Sequence, residues 1–344
     1  MTTLVTLTNT NSMEVRFLSR GGIILSVLAP DRDGALADVV LGFSDIRQYL
    51  NDRFYFGAIV GRSANRIADG LLKIGASAFE LSKNDGAHHL HGGTRGFSAC
   101  EWSVTPIETG FAVGALLSME SPHGDQGYPG TLAVQVRYLL TNSNELRLEY
   151  RATTDAPTPV NLTQHTYFNL TGCSACNILD HMLTLNASQY TPVDQSLIPT
   201  GELRAVAGTP FDFRSPRPIG ERIADDDDQL QHGGGYDHNF VLGVPLPGDR
   251  LTFAARLFDP STGRALTVRT TKPGLQIYTG NDLAEVRQGK NGAYGRYSGV
   301  ALETQHFPDT PNHSNFPSTI LHPGQEYFSE TSYQFSVVPE GPGE

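Results

Sequence analysis

Basic residues are scarce in this chain: 25 Lys and Arg stand against 36 Asp and Glu in 344 residues, a formal net charge of −11. A negative surface repels polyphosphate and anionic headgroups, which excludes nucleic acid and an anionic membrane as expected partners. A neutral ligand is indifferent to that field. Cysteine is scarcer still. Cys100, Cys173 and Cys176 form an odd set, unlike the disulfide framework of a small secreted domain. The Cys-x-x-Cys at 173–176 has no second pair beside it, so neither a metal nor a redox role is expected of it. No apolar run approaches the roughly 20 residues that span a bilayer, and the N-terminus lacks the basic and apolar regions of a secretory leader. The expectation is a soluble, cytoplasmic protein. Helical periodicity is nearly absent as well: only 44–50 and 218–223 read as single helical turns, in keeping with 36 glycines and 21 prolines.

What is present is a succession of short alternating or apolar runs between turn residues, at 3–8, 13–18, 22–28, 37–42, 111–119, 131–140, 145–153, 181–187, 251–258, 264–270, 275–279, 298–304 and 333–338. That spacing predicts an all-β sandwich or barrel. Between 251 and 270, Asp259-Pro260 opens a turn and Gly263 supplies a positive φ, which predicts a hairpin. No fixed-period repeat and no linker divides the chain, so one domain over 1–344 is expected. The Asp225–Asp228 run reads as a solvated loop, because a calcium loop needs interleaved glycines and carbonyl ligands.

Against this background, Gly299-Val-Ala-Leu-Glu303-Thr-Gln-His-Phe-Pro308 places one carboxylate inside an uncharged strand-like run. On the period of two, Val300, Leu302 and Thr304 face one side and Ala301, Glu303 and Gln305 the other. Nothing basic in the segment pairs with Glu303, which is either a satisfied structural ion or a group placed to move a proton. Four further segments carry polar groups that a plain β-protein does not require. In Gly61-Arg-Ser-Ala-Asn65-Arg66-Ile-Ala-Asp-Gly70, small residues allow a ligand near the backbone, and an arginine fork there suits sugar hydroxyls or a carboxylate; the alternative is a surface turn. In His88-His89-Leu90-His91-Gly92-Gly93, His89 and His91 share a face if the run is extended. His165 sits among strand formers in 159–170, as a core histidine or a proton donor, and Asp237 follows a triple glycine as a turn acid or a ligand contact. Histidine, arginine and carboxylate recurring at strand ends suggest one shared cleft.

Taken together, these segments resemble the aldose 1-epimerase family. The resemblance rests on Gly-Ala-Ile-Val-Gly-Arg-Ser-Ala-Asn-Arg-Ile at 57–67, Leu-His-Gly-Gly at 90–93, Val-Asn-Leu-Thr-Gln-His-Thr-Tyr-Phe-Asn-Leu at 160–170, Tyr-Asp-His-Asn-Phe at 236–240, Leu-Gln-Ile-Tyr-Thr-Gly-Asn at 275–281 and Leu-Glu-Thr-Gln-His-Phe-Pro-Asp at 302–309. It implies a large antiparallel β-supersandwich of the galactose mutarotase type with very little helix. It also implies a cofactor-free isomerase, without a resident metal, that interconverts the α and β anomers of free aldohexoses such as glucose and galactose. Carried over motif by motif, it casts Glu303 as general base and His165 as general acid, with Asn65, Arg66, His91, Asp237 and Gln276 holding the monosaccharide.

The chemistry needs such a pair, because opening a pyranose takes a proton from the C1 hydroxyl while giving one to the ring oxygen. At reference values of about 4.3 and 6.5, Glu303 is expected to be ionised and His165 able to carry a proton near neutrality. Gln164, Ser63 and the segment 282–288 depart from the family pattern and are expected to touch the rim, which leaves the preferred aldose open. Three rivals are distinguishable by chemistry. One is a metal-dependent cupin-like enzyme using His89, His91, His165 and Glu303; another is a non-catalytic carbohydrate-binding sandwich. The third, a glycoside hydrolase pairing Asp237 with Glu303, is disfavoured by His165 standing in the acid's place.

Overall fold

In the computed structural model, residues 2–173, 175–243, 250–290 and 292–339 are described. Two large antiparallel sheets dominate. The larger has nine strands in the order Ser103–Glu108, Ala112–Ser121, Leu132–Thr141, Glu145–Thr154, Tyr327–Val337, Arg264–Thr270, Thr252–Phe258, Met182–Leu185 and Arg217–Pro218. The other has six, in the order Tyr167–Phe168, Val300–Gln305, Gly274–Tyr278, Asp237–Leu242, Ala187–Thr191 and Arg204–Ala205. A four-stranded sheet from residues 4–38 and several two-stranded ribbons complete the fold. Alternation in the long strands puts Leu146, Leu148 and Tyr150 from one sheet against Leu275, Ile277, Val300 and Leu302 from the other, in one buried apolar cluster. The all-β expectation therefore holds.

Local detail departs from it where propensity is weak. The expected hairpin forms from Thr252–Phe258 and Arg264–Thr270, with Gly263 at φ +77. The helical turns appear as 3-10 turns at Ile46–Asn51 and Ile219–Glu221. The run 181–187 splits into Met182–Leu185 and Ala187–Thr191, while Ser103–Glu108, whose alternation is faint, is an unanticipated edge strand. The Asp225–Asp228 run is not simply a solvated loop. Asp227 accepts from the Gln229 and Leu230 amides and so caps an α-helix at Asp228–Gly233, a role any short acidic side chain before a helix can fill. Asp225 pairs with Arg222.

The Val300–Gln305 strand lies between Gly274–Tyr278 and Tyr167–Phe168, with Glu303 opposite Gln276. Alternation along it is as read from the sequence. Thr304 bonds Thr331 of the nine-stranded sheet, which puts Glu303 on the opposite face. Because that face is covered too, all six residues are buried. Next in register, Asn239 pairs with Gln276, so polar side chains from three adjacent strands stand in one row.

Candidate active site

A cavity of about 620 Å³ opens at the Glu303 end of that row. Asn65, Arg66, His91, His165, Asp237 and Glu303 all line it, brought together from five separate stretches of chain. Gln276 does not line it. Its Nε2 donates to Asp237 Oδ1 at 2.6 Å, so it holds the aspartate from behind.

The loops that present these groups are shaped by local chemistry. Asn65 lies at φ +60, a region asparagine tolerates better than most residues, and His91 at φ +51. Each fixes the other: the His91 amide donates to the Asn65 carbonyl at 3.0 Å, and the Asn65 amide donates to His91 Nδ1 at 3.2 Å. With Nδ1 accepting, neutral His91 carries its proton on Nε2 and is a donor there. Gly92 follows at φ +86, where a Cβ would sit 1.7 Å from the Gly61 carbonyl oxygen, so no other residue fits.

His91 is thereby turned away from His89, and the shared face expected of an extended run does not exist. His89 Nδ1 lies 2.6 Å from the Ser82 carbonyl and its Nε2 2.6 Å from the Tyr128 hydroxyl. It is a satisfied core histidine. The four-ligand metal set anticipated as a rival therefore loses a member, although the ligand atoms of His91, His165 and Glu303 lie within 4.8 Å of one another. Gln164 and Ser63 are also not at the rim. Gln164 is buried, donating to the Gly57 carbonyl at 2.8 Å, and Ser63 bridges to Asn161. Asp282 and Glu285, from the third divergent segment, do line the cavity.

His165 Nε2 stands 3.5 Å from Glu303 Oε1, and both side chains are buried. Glu303 Oε2 and His165 Nδ1 have no hydrogen-bond partner among the described residues. Burial, with the nearby Asp237 carboxylate, pushes the Glu303 carboxyl well above its ordinary value, against the pull of Arg66. Burial lowers His165 to about 4. The order expected from reference values is thus reversed in the unliganded site: desolvation disfavours carboxylate and imidazolium alike. A carboxylic acid beside a neutral imidazole holds the same number of protons as a carboxylate beside an imidazolium. Passing one proton across the pair interconverts the two states without exchange with solvent.

Sequence reasoning missed Tyr55. It sits at φ +57, with its ring centroid 4.6 Å from that of His91 and 5.9 Å from that of His165, and walls the cavity. Asp52 shapes its loop by accepting from the Phe54 amide at 2.8 Å and the Phe56 amide at 2.7 Å. The only sequence signal was that Asp followed by aromatics.

Burial of so many imidazoles sets an acid limit on stability. His89, His91, His165, His181, His238 and His306 are all held below their ordinary value by burial. Unfolded, each binds a proton as the pH falls through about 6.5, whereas folded His89, His165 and His181 stay neutral to about 4. In that window the unfolded chain binds more protons, so stability falls with pH by up to about 1.4 kcal/mol per unit per histidine. Four buried carboxyls, Asp52, Asp237, Glu303 and Asp309, are raised and act in the opposite sense. Six against four leaves a net loss. The melting temperature is expected to drop steadily from pH 7 to pH 5 in a calorimetric scan; a flat profile would contradict this account.

Fold and site together define an enzyme-type centre on a β-supersandwich, with a buried carboxyl–imidazole pair under a cavity rich in hydrogen-bonding groups. The comparisons with known proteins narrow that class. The aldose 1-epimerase family profile matches residues 3–334. The galactose mutarotase of Homo sapiens is 44% identical over 327 residues, 95% of this chain and 92% of that one. The aldose 1-epimerase of Escherichia coli (strain K12) is 39% identical over 334 residues, 96% of this chain and 94% of that one. Among solved structures, a GalM/aldose epimerase homologue from C. elegans superposes with a TM-score of 0.89 at 30% identity, covering 98% of this chain and 100% of that one. Galactose 1-epimerase from Lactobacillus acidophilus NCFM gives 0.86 at 31%, covering 98% and 99%. The chain belongs to the aldose 1-epimerase family and is an isomerase acting on a sugar. These relatives favour that reading over the cupin-like enzyme and the non-catalytic sandwich. No helix among the described residues is long and apolar enough to cross a membrane.

Proposed function

We propose that the protein interconverts the α and β anomers of free hexoses of the galactose and glucose type, with Glu303 and His165 as the proton-transfer pair. The observation that carries this assignment is the 3.5 Å approach of His165 Nε2 to Glu303 Oε1 under the cavity, with the second carboxylate oxygen unsatisfied. In the state with the proton on His165, Glu303 takes the C1 hydroxyl proton as the C1–O5 bond breaks, and His165 protonates O5. The open aldehyde turns about C1–C2, and O5 closes on the other face of C1. The same two protons return during closure, so each cycle ends as it began and no co-reactant is consumed. Each positioned group contributes on the order of a hundred- to ten-thousand-fold in rate.

Asn65, Arg66, His91 and Asp237 hold the sugar hydroxyls, and Gln276 steadies Asp237. Each hydroxyl of a pyranose both donates and accepts, which suits this mixture: Arg66 and His91 Nε2–H donate, and an Asp237 oxygen accepts. Hexose hydroxyls also relieve the desolvation of Glu303 by donating to its free oxygen. The chain is assigned as one mutarotase-like domain, supported by the family match over 3–334. A cytoplasmic compartment is favoured by free Cys100, Cys173 and Cys176.

Polarimetry of freshly dissolved α-galactose and α-glucose tests the activity; no acceleration over buffer for either sugar would refute it. Free hexoses are expected to outperform their 6-phosphates in kcat/KM. Among the described residues, Arg66 and Arg53 are the only Lys or Arg side chains lining the cavity, where phosphate pockets gather several cations, and Arg53 is engaged by Glu285. A much higher kcat/KM for the phosphates would reassign the substrate.

A further inference from the structure

The turn that contains Asn84 and Asp85 has no part in the proton transfer, yet it touches three groups of the cavity. Arg66 Nε donates to Asp85 Oδ2 at 2.7 Å, while the two Nη groups of Arg66 make no hydrogen bond among the described residues. One edge of the guanidinium fork is thus anchored and the other left free toward the cavity that Arg66 lines. Next to it, Asn84 pairs with both backbone groups of one residue: its Oδ1 accepts from the Leu90 amide at 2.8 Å and its Nδ2 donates to the Leu90 carbonyl at 3.0 Å. That clamps the residue immediately before His91. The same Nδ2 lies 3.4 Å from the Tyr55 hydroxyl. The turn is itself closed, with the His88 amide donating to the Asp85 carbonyl at 2.9 Å and the Asp85 amide to the His88 carbonyl at 3.2 Å. Gly86 supplies the positive φ, at +58.

We propose that the Asn84–Asp85 turn is a positioning element for sugar binding, in which Asp85 aims the Arg66 guanidinium into the cavity and Asn84 fixes the Leu90–His91 step and the Tyr55 wall. This rests on the reading of Arg66 and His91 as sugar contacts. The physical case is one of preorganisation. An arginine side chain has several rotors, and a cleft that must freeze them on binding loses affinity; a carboxylate holding Nε freezes them beforehand and leaves the terminal nitrogens in a fixed fork. Asp85 is suited to this and not to holding the fold together. Its side chain is 37% exposed, and an ion pair at that exposure contributes little to stability. It also offsets the Arg66 charge, so the cavity keeps a donor without a large net positive field.

The test is a set of variants assayed for mutarotation of galactose and for thermal unfolding. Asp85→Asn keeps the shape and removes the charge. It is expected to raise KM about three- to tenfold with kcat within about twofold, because contacts equal in ground and transition states act on KM alone. The melting temperature should stay within about 2 °C. Asp85→Glu, which retains the carboxylate, should recover at least half of the KM loss. In an Arg66→Ala background, Asp85→Asn should change KM no further, since its effect passes through Arg66. An unaltered KM, a fall in kcat at constant KM, a loss of stability parallel to the loss of binding, no recovery by Asp85→Glu, or an equal penalty without Arg66 would each overturn the proposal. Wild-type turnover measured alongside separates the two readings: an inactive wild type removes the mutarotase assignment, and an active wild type with an indifferent Asp85→Asn removes only this one.

Discussion

Glu303→Gln is expected to slow mutarotation at least a hundredfold while hexose binding stays within about tenfold. Glutamine keeps the volume and can still accept a hydrogen bond from the C1 hydroxyl, but its amide takes no proton at neutral pH. The site makes this a clean substitution. Glu303 is 2% exposed and, among the described residues, its Oε2 has no partner and its one ion-pair neighbour is His165, so an uncharged amide breaks no wider network there. The stability readout separates this role from a structural one. Burial raises the Glu303 carboxyl, so its folded-state advantage is full below about pH 4 and is lost as the pH rises through the raised value. Above that value the ionised side chain costs stability. Glu303→Gln should therefore melt no lower than wild type at pH 8. A variant that keeps more than about a tenth of wild-type turnover would rule out a general base at this position. One that loses activity only in proportion to its folded fraction would show that Glu303 anchors the strand.

The second large effect is expected at His165. His165→Asn leaves a side chain that can donate to a sugar oxygen but cannot release and regain a proton within a cycle, and turnover should again fall a hundredfold or more. Because burial holds His165 near 4, the imidazole is neutral in the empty site and becomes cationic only by taking the proton of the pair. On the function proposed here, Glu303 and His165 are two ends of one proton-transfer unit. The double variant should lose far less than the product of the single losses, as groups acting in one step do. Rates measured on both singles and the double, with calorimetric binding of galactose on each, decide the matter. Losses that multiply would mean that the two residues act independently.

Much of this was legible in the sequence because it depends on near neighbours. Alternation at 300–305 put Glu303 on the face opposite Leu302 before any sheet was known, and the strand bears it out. The Asp259–Gly263 turn chemistry gave its hairpin, and the ordered motifs gave the family. The Asp225–Asp228 run misled, because a capping acid and a solvated acid look alike until a helix is seen to start behind one of them.

The sequence by itself determined the β architecture, the family and the residue types that gather in the cavity, since periodicity and motif order are properties of the chain read in line. Only the tertiary structure decided how those residues divide their work. The left-handed backbone at His91 sends it into the cavity while His89 turns to Tyr128, a separation set by a hydrogen bond to Asn65 that lies 26 residues away. Cross-strand register places Gln276 where its amide donates to Asp237, outside the residues that line the cavity. Asp85 meets Arg66 only because the chain doubles back at the 85–88 turn. The protonation order of Glu303 and His165 also belongs to the folded state. It follows from desolvation by the two covered faces of a sheet, and desolvation is a sum over everything packed around a group.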